Sequence, residues 1–174
     1  MTGPPPGAPR LTHIDEHGKA HMVDVSGKPV TRRVAEARCS VRSVGDVRAV
    51  LARPPGGADL VETARIAGIM AAKRTPSLVP LCHPLLLDGF EVDVAVVADG
   101  FAVRAVTTVA ERTGVEMEAL TACATAALVL VQALLDVDPG ASVEDLSVWH
   151  KSGGRSGVWE RPADGRGGGR TESS

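Results

Sequence analysis

Phe90-Glu91-Val92-Asp93-Val94-Ala95-Val96 and, beyond Asp99-Gly100, the run from Phe101 to Val109 decide the fold. Phe90, Val92, Val94 and Val96 alternate with Glu91, Asp93 and Ala95, the two-residue period of a strand with one buried face. An Asp-Gly pair between two such runs is a hairpin turn. Upstream, Ala35, Cys39 and Val41 alternate with Glu36, Arg38 and Arg42, which predicts a strand over 35–42. His21 to Val25 reads as another strand, and Val143 to Trp149 as the last. Ser43 followed by Asp46 is a weak capping box ahead of a short helix, Val47 to Leu51. Asp59 and Glu62 form a second capping signature before a helix from Leu60 to Arg74, which Thr75-Pro76 should stop. Thr113-Gly114 leads into a long Ala/Leu-rich helix that Asp138-Pro139-Gly140 closes. Hairpin, helices and further strands in this order predict an α+β fold, an antiparallel sheet with helices packed on one face.

The 174 residues suit one domain over 11–158, between a Pro-rich N-terminus (1–10) and a Gly/Arg-rich tail (159–174), both expected to be disordered. Hydrophobic residues make up 44% of the chain and aromatics only 2%, with no Tyr, so the core must come from Ala, Val, Leu and Ile. Such side chains bury little area each, which favours additional burial between subunits. A net charge of -2 exerts no general pull on nucleic acid or membrane. Cys39, Cys82 and Cys123 are odd in number and far apart, against both a disulfide framework and a zinc site, and in keeping with a reducing compartment. No signal peptide is evident at the N-terminus, and a cytoplasmic location is expected. Ala119 to Leu135 approaches membrane-spanning length but is interrupted by Thr121, Thr125 and Gln132, so it reads as a buried helix of an oligomer.

Four segments carry polar groups that folding alone does not require. Cys82 and His83 sit between Pro80 and Pro84, whose rings stiffen the backbone, as suits a positioned acid, base or ligand contact. Alone, this turn fits a structural histidine as well, and nothing in it activates Cys82 as a nucleophile. Glu116 and Glu118 open the long helix, where carboxylates complement the helix dipole in any case. On a regular helix the two diverge, so one would face a site and the other stand behind it. Lys151-Ser152-Gly153-Gly154-Arg155-Ser156-Gly157 joins two cations to exposed amides, a phosphate cradle or else a solvated loop. Arg65, Lys73 and Arg74 on the second helix would extend an anion pocket, or simply favour the helix C-terminus.

Taken together, Leu11-Thr12-His13-Ile14, His21 to Ser26, Ala64 to Ile69, Ala72 to Thr75, Pro80 to Leu85, Thr113 to Thr121 and Lys151 to Gly154 closely resemble the cyclic pyranopterin monophosphate synthase family, molybdenum cofactor biosynthesis protein C. The resemblance runs from about Leu11 to Gly157. It implies a ferredoxin-like subunit in a hexamer of dimers with sites at subunit interfaces. It also implies a lyase that converts 3′,8-cyclo-7,8-dihydro-GTP to cyclic pyranopterin monophosphate and pyrophosphate, with neither metal nor other cofactor. By the family's pattern, Leu81, Cys82, His83, Met117 and Glu118 contact substrate, and Glu116 joins His83 in the catalytic set. Lys73 and Lys151 are cationic site residues, and Arg65 extends the binding set.

Three family positions differ. Gly57 stands where the family has a lysine, and Gln132 and Leu135 replace an Asp-x-x-Lys pair on the long helix. A Gln hydrogen-bonds but carries no transferable proton, and Leu135 removes a charge. Two readings follow, an active lyase that tolerates these changes or a paralogue that binds the substrate, a related nucleotide or an active paralogue without efficient turnover. A third reading makes the Arg-rich tail a nucleic-acid contact, against which stands its lack of aromatics for base stacking.

Overall fold

The computed structural model describes residues 13–15, 17–52 and 57–162. The elements are β1 (Thr31–Arg42), α1 (Val47–Leu51), α2 (Gly57–Ala72), α3 (Thr75–Leu78), β2 (Gly89–Val97), β3 (Gly100–Glu111), α4 (Glu116–Leu134), β4 (Ser142–Ser152) and β5 (Trp159–Glu160). They build a five-stranded antiparallel sheet in the order β2-β3-β1-β4-β5. Without β5, this is the βαββαβ connection of a ferredoxin-like α+β fold, as expected.

The hairpin forms where Asp99-Gly100 predicted it, with Val97 opposite Gly100 and Gly89 opposite Thr108. β1 pairs with β3 without interruption from Thr31–Glu111 to Arg42–Gly100, and on its other side with β4. Alternation then divides the sheet. Ala35, Ala37, Cys39 and Val41 of β1, with Phe101, Val103, Ala105 and Val109 of β3, are buried. The opposite face of the sheet carries the Glu36, Arg38 and Arg104 ion pairs, with the Arg38 guanidinium 4.7 Å from the Trp149 ring centroid. α4 covers the buried face through Ala119, Ala122, Cys123, Ala126, Ala127, Leu130 and Leu134. α4 is thus long and apolar enough to cross a membrane by length and composition, yet its apolar face lies within the chain's own core.

The small residues of this core bring the helices close. At Gly68 of α2, an added Cβ would lie 2.8 Å from the Ala122 carbonyl oxygen of α4, closer than real contacts allow. α1 is capped by Asp46, whose carboxylate accepts from the Ala49 amide at 3.0 Å.

Several expectations are corrected. Ser43 is no cap; its hydroxyl donates to Asp138 at 2.8 Å, and the same carboxylate oxygen accepts the Val44 amide at 2.8 Å, tying the end of β1 to the loop after α4. The second helix begins at Gly57, so Asp59 lies inside its first turn rather than ahead of it. Thr75-Pro76 ends α2 only to begin α3, because proline is well suited to a first helical turn, where its missing amide is not needed. His21 to Val25 forms no strand; Val23 and Val25 line a cavity instead. Trp159–Glu160 pairs with Lys151 and His150 as β5, although it falls in the segment expected to be disordered. The N-terminal expectation over residues 1–10 and the remainder of the tail from 163 lie outside the described residues.

Replacing Gly68 with Val should destabilise the protein by about 1–3 kcal/mol, because the β-branched side chain must push α2 off α4. Thermal unfolding checks this as a fall of several degrees in Tm.

Candidate functional site

The turn from Thr113 to Val115 is pinned to the sheet by a buried bond, in which the Thr107 hydroxyl donates to the Val115 carbonyl at 2.9 Å. This sets where α4 begins and where its first-turn carboxylates project. An added Cβ at Gly114 would fall 1.9 Å from a Glu116 carboxylate oxygen, so only glycine lets that carboxylate fold back over the turn. Glu116 there accepts from the Lys151 ammonium at 3.2 Å, joining α4 to the end of β4.

Opposite stands the Pro-framed turn, closed by the Cys82 amide donating to Val79 at 3.0 Å. Leu81, Cys82 and His83 of this turn and Glu116, Met117 and Glu118 of α4 line one cavity of about 370 Å³, with His13, Val23, Val25, Lys28, Leu85, Thr113 and Gly114. Both glutamates line it, Glu116 at its open side and Glu118 buried behind. Glu118 is almost fully buried, and burial, with the Glu116 charge beside it, pushes its carboxyl above the usual range. Burial and the Glu118 charge likewise push the Cys82 thiol up, which disfavours a nucleophilic thiolate. The Asp24 carboxylate is held low by the amide and hydroxyl of Ser26, with a smaller contribution from His83 facing it.

Further concavities share walls with this one. Gly114 and Glu116 also border a small one with Lys151, Gly153, Ser156 and Arg33. Lys28 also borders one of about 580 Å³ with Arg33, Gly154, Arg155 and Ser156. Carboxylates and an imidazole therefore adjoin a strip of cations and backbone amides. Gly153 has a positive φ of 96° and lies where a Cβ would strike the Arg32 carbonyl, so the loop must be glycine there. Arg33 braces the strip, donating to the carbonyls of Glu111 at 2.8 Å and Arg112 at 3.0 Å.

Of the residues predicted from sequence, Leu81, Cys82, His83, Glu116, Met117 and Glu118 come together in the cavity, and Lys151 joins them through Glu116. Arg65 and Lys73 are elsewhere in this chain: Arg65 donates to the Val92 carbonyl at 2.8 Å, and the Lys73 ammonium lies 5.3 Å from the Phe90 ring centroid. Gln132 is exposed near the far end of α4, about 24 Å along the axis from Glu116 by the rise of an α-helix, and Leu135 caps that end. Gly57 starts α2. Among the described residues, no group of three or more His, Cys, Asp or Glu side chains is gathered as a metal would need.

Sequence reading did not assign His13, Asp24, Lys28 or Arg33 to the site. His13 and Lys28 lie outside any periodic stretch, and Asp24 lies in one that reads as a strand; contacts such as the Arg112 guanidinium donating to the Lys28 carbonyl at 3.0 Å hold this region in place. A charge in an aperiodic stretch carries no directional signal until its neighbours are known.

The model of the MoaC family matches residues 22–154, which contain most of the cavity and Lys151. The chain belongs to the MoaC family. A cyclic pyranopterin monophosphate synthase of Streptomyces avermitilis is 52% identical over 160 residues, covering 90% of this chain and 93% of that protein. One of Nocardioides sp. is 51% identical over 158 residues, covering 88% and 96%. A protein of Mycobacterium bovis named cyclic pyranopterin monophosphate synthase 2 is 49% identical over 154 residues, covering 87% and 91%.

The raised carboxyl of Glu118 has a consequence for stability. A folded state that holds this proton more tightly than the unfolded chain gains stability from the group as pH falls through the raised value, down to the ordinary carboxylate range. Glu118→Gln should abolish that gain. Between about pH 8 and pH 5, the Tm of the natural chain should rise relative to that of the variant; parallel curves would show that Glu118 titrates normally.

Proposed function

We propose that this MoaC family member is a cyclic pyranopterin monophosphate synthase of molybdenum cofactor biosynthesis, converting 3′,8-cyclo-7,8-dihydro-GTP to cyclic pyranopterin monophosphate and pyrophosphate. The observation that carries the reading is the meeting of His83, Glu116 and Glu118 around one cavity with a strip of cations and amides alongside. Forming a cyclic phosphate while expelling pyrophosphate needs proton transfer and a place for the departing charge. His83 and Glu116 supply groups for the first. Lys151, with Lys28, Arg33 and Arg155, supplies the second. Leu81, Cys82, Met117 and Glu118 complete the wall against the substrate.

The positions remote from the cavity belong to the same reading through a homo-oligomer, the hexamer of dimers that the sequence resemblance implies. Gln132, Leu135, Lys73 and Arg65 would then serve a cavity of another copy. The exposed apolar side chains of Ile66 and Met70 on α2 and Leu128 and Leu135 at α4 support such contacts. A cytoplasmic setting, with neither membrane nor nucleic acid as partner, completes the reading.

Gln132 and Leu135 favour a second reading, in which the protein binds this substrate, a related nucleotide or an active paralogue with little turnover. Supplying the purified protein with the cyclised GTP intermediate, and following pyrophosphate and pterin product, separates the two. Turnover is expected, and His83→Ala should lower it by roughly 100- to 10,000-fold. Binding without turnover would establish the second reading, and neither binding nor turnover would overturn both. In an inactive protein, Gly57→Lys, Gln132→Asp and Leu135→Lys together should restore product formation; no recovery would show that the defect lies elsewhere.

A further inference from the structure

Two cysteines that the proposed reaction does not use face each other behind the site. Cys39 lies mid-way along β1, the strand paired on both sides, and Cys123 lies on the inner face of α4. Both are buried, at 4% and 0% exposure, and their sulfurs are 3.3 Å apart, with the Cys123 thiol donating to Cys39. The Cys123 sulfur is also 3.7 Å from the Val103 carbonyl oxygen, so the thiol is held between β1 and β3. Cys82 belongs to the cavity wall, apart from this pair.

We propose that Cys39 and Cys123 are a built-in dithiol site at which hydrogen peroxide forms an intramolecular disulfide, stapling α4 to the centre of the sheet. The sulfurs must close by about 1.3 Å to reach the disulfide bond length of about 2.05 Å, a shift that side-chain rotation and small movements of α4 provide. The Cys39 sulfur attacks one peroxide oxygen, breaking the O–O bond, and gives a sulfenic acid and water. The Cys123 sulfur then attacks the sulfenic sulfur, the S–S bond forms and a second water leaves. Two thiols lose two electrons and two protons, and peroxide is reduced to two waters. The hydrogen bond from Cys123 lowers the Cys39 thiol below its usual range and raises its donor, which makes Cys39 the attacking sulfur. Burial restricts the reaction to a small uncharged oxidant, and the adjacent second thiol intercepts the sulfenic acid before further oxidation.

The bond would close a loop from 39 to 123 that encloses α1, α2, α3 and the β2–β3 hairpin. Constraint of the unfolded chain over so long a loop should raise Tm by roughly 5–10 °C. The test is to treat the purified full chain with hydrogen peroxide, block remaining thiols and map the peptides without reduction. The expected result is a chain lighter by two hydrogens, a Cys39–Cys123 cross-linked peptide, an alkylated Cys82, and a rise in Tm that dithiothreitol reverses. Cys82→Ser should leave the cross-link and the reversible rise in Tm unchanged, and Cys123→Ala should abolish the cross-link. Oxygen addition without a cross-link, or a cross-link through Cys82, would overturn the proposal. Because the decisive map is made on the natural chain, a variant that fails to fold does not remove the test.

Discussion

The alanine-rich inner face of α4 lies directly on β1 and β3, and nearly every other feature depends on that close contact. With few aromatics to fill space, the core reaches normal density only if backbones approach one another. Gly68 of α2 lies against the Ala122 carbonyl of α4, and Ala35, Ala37 and Ala105 bring the sheet surface near the helices. The result is a rigid platform whose one helix start, at Glu116, is fixed by the Thr107–Val115 bond.

That platform explains how the candidate site is made. A helix start leaves backbone amides unpaired and lets successive side chains fan outward, so Glu116, Met117 and Glu118 reach a common space that mid-helix positions could not share. The Pro-framed turn at Cys82-His83 presents the opposite wall. Lys151 pairs with Glu116, while Glu118 is buried and has no cationic partner among the described residues, so the two carboxylates have unlike environments. Burial raises the Glu118 carboxyl, which favours its protonated form.

The surfaces tell a complementary story. The sheet face away from the helices is held by ion pairs around Glu36 and Arg104, and its arginines stack on Trp149. The outward sides of α2 and α4 instead expose Ile66, Met70 and Leu128. A core of small side chains buries less area in one chain than a chain of this length ordinarily does, and apolar surface left outside is what a second copy would cover.

The hairpin at Asp99-Gly100, β1, the long helix and the final strand were all legible in the sequence, because alternation and 3.6-residue periodicity are local consequences of burial on one side. The polar turns were legible as well: Cys82-His83, Glu116 to Glu118 and Lys151 to Gly157 stand out since nothing in folding demands those groups. What local pattern could not reveal was the use to which spacing is put. His21 to Val25 alternates as a strand does, but its valines face a cavity rather than a ladder. Ser43 resembles a cap and instead holds Asp138, 95 residues away. Arg65 resembles an anion ligand, and within this chain its guanidinium donates to the Val92 carbonyl of β2, away from the cavity. The sequence alone thus determined which segments form elements and which residues carry chemistry. Only the tertiary structure decided which of those residues meet, because partners distant in the chain leave no periodic trace in either segment.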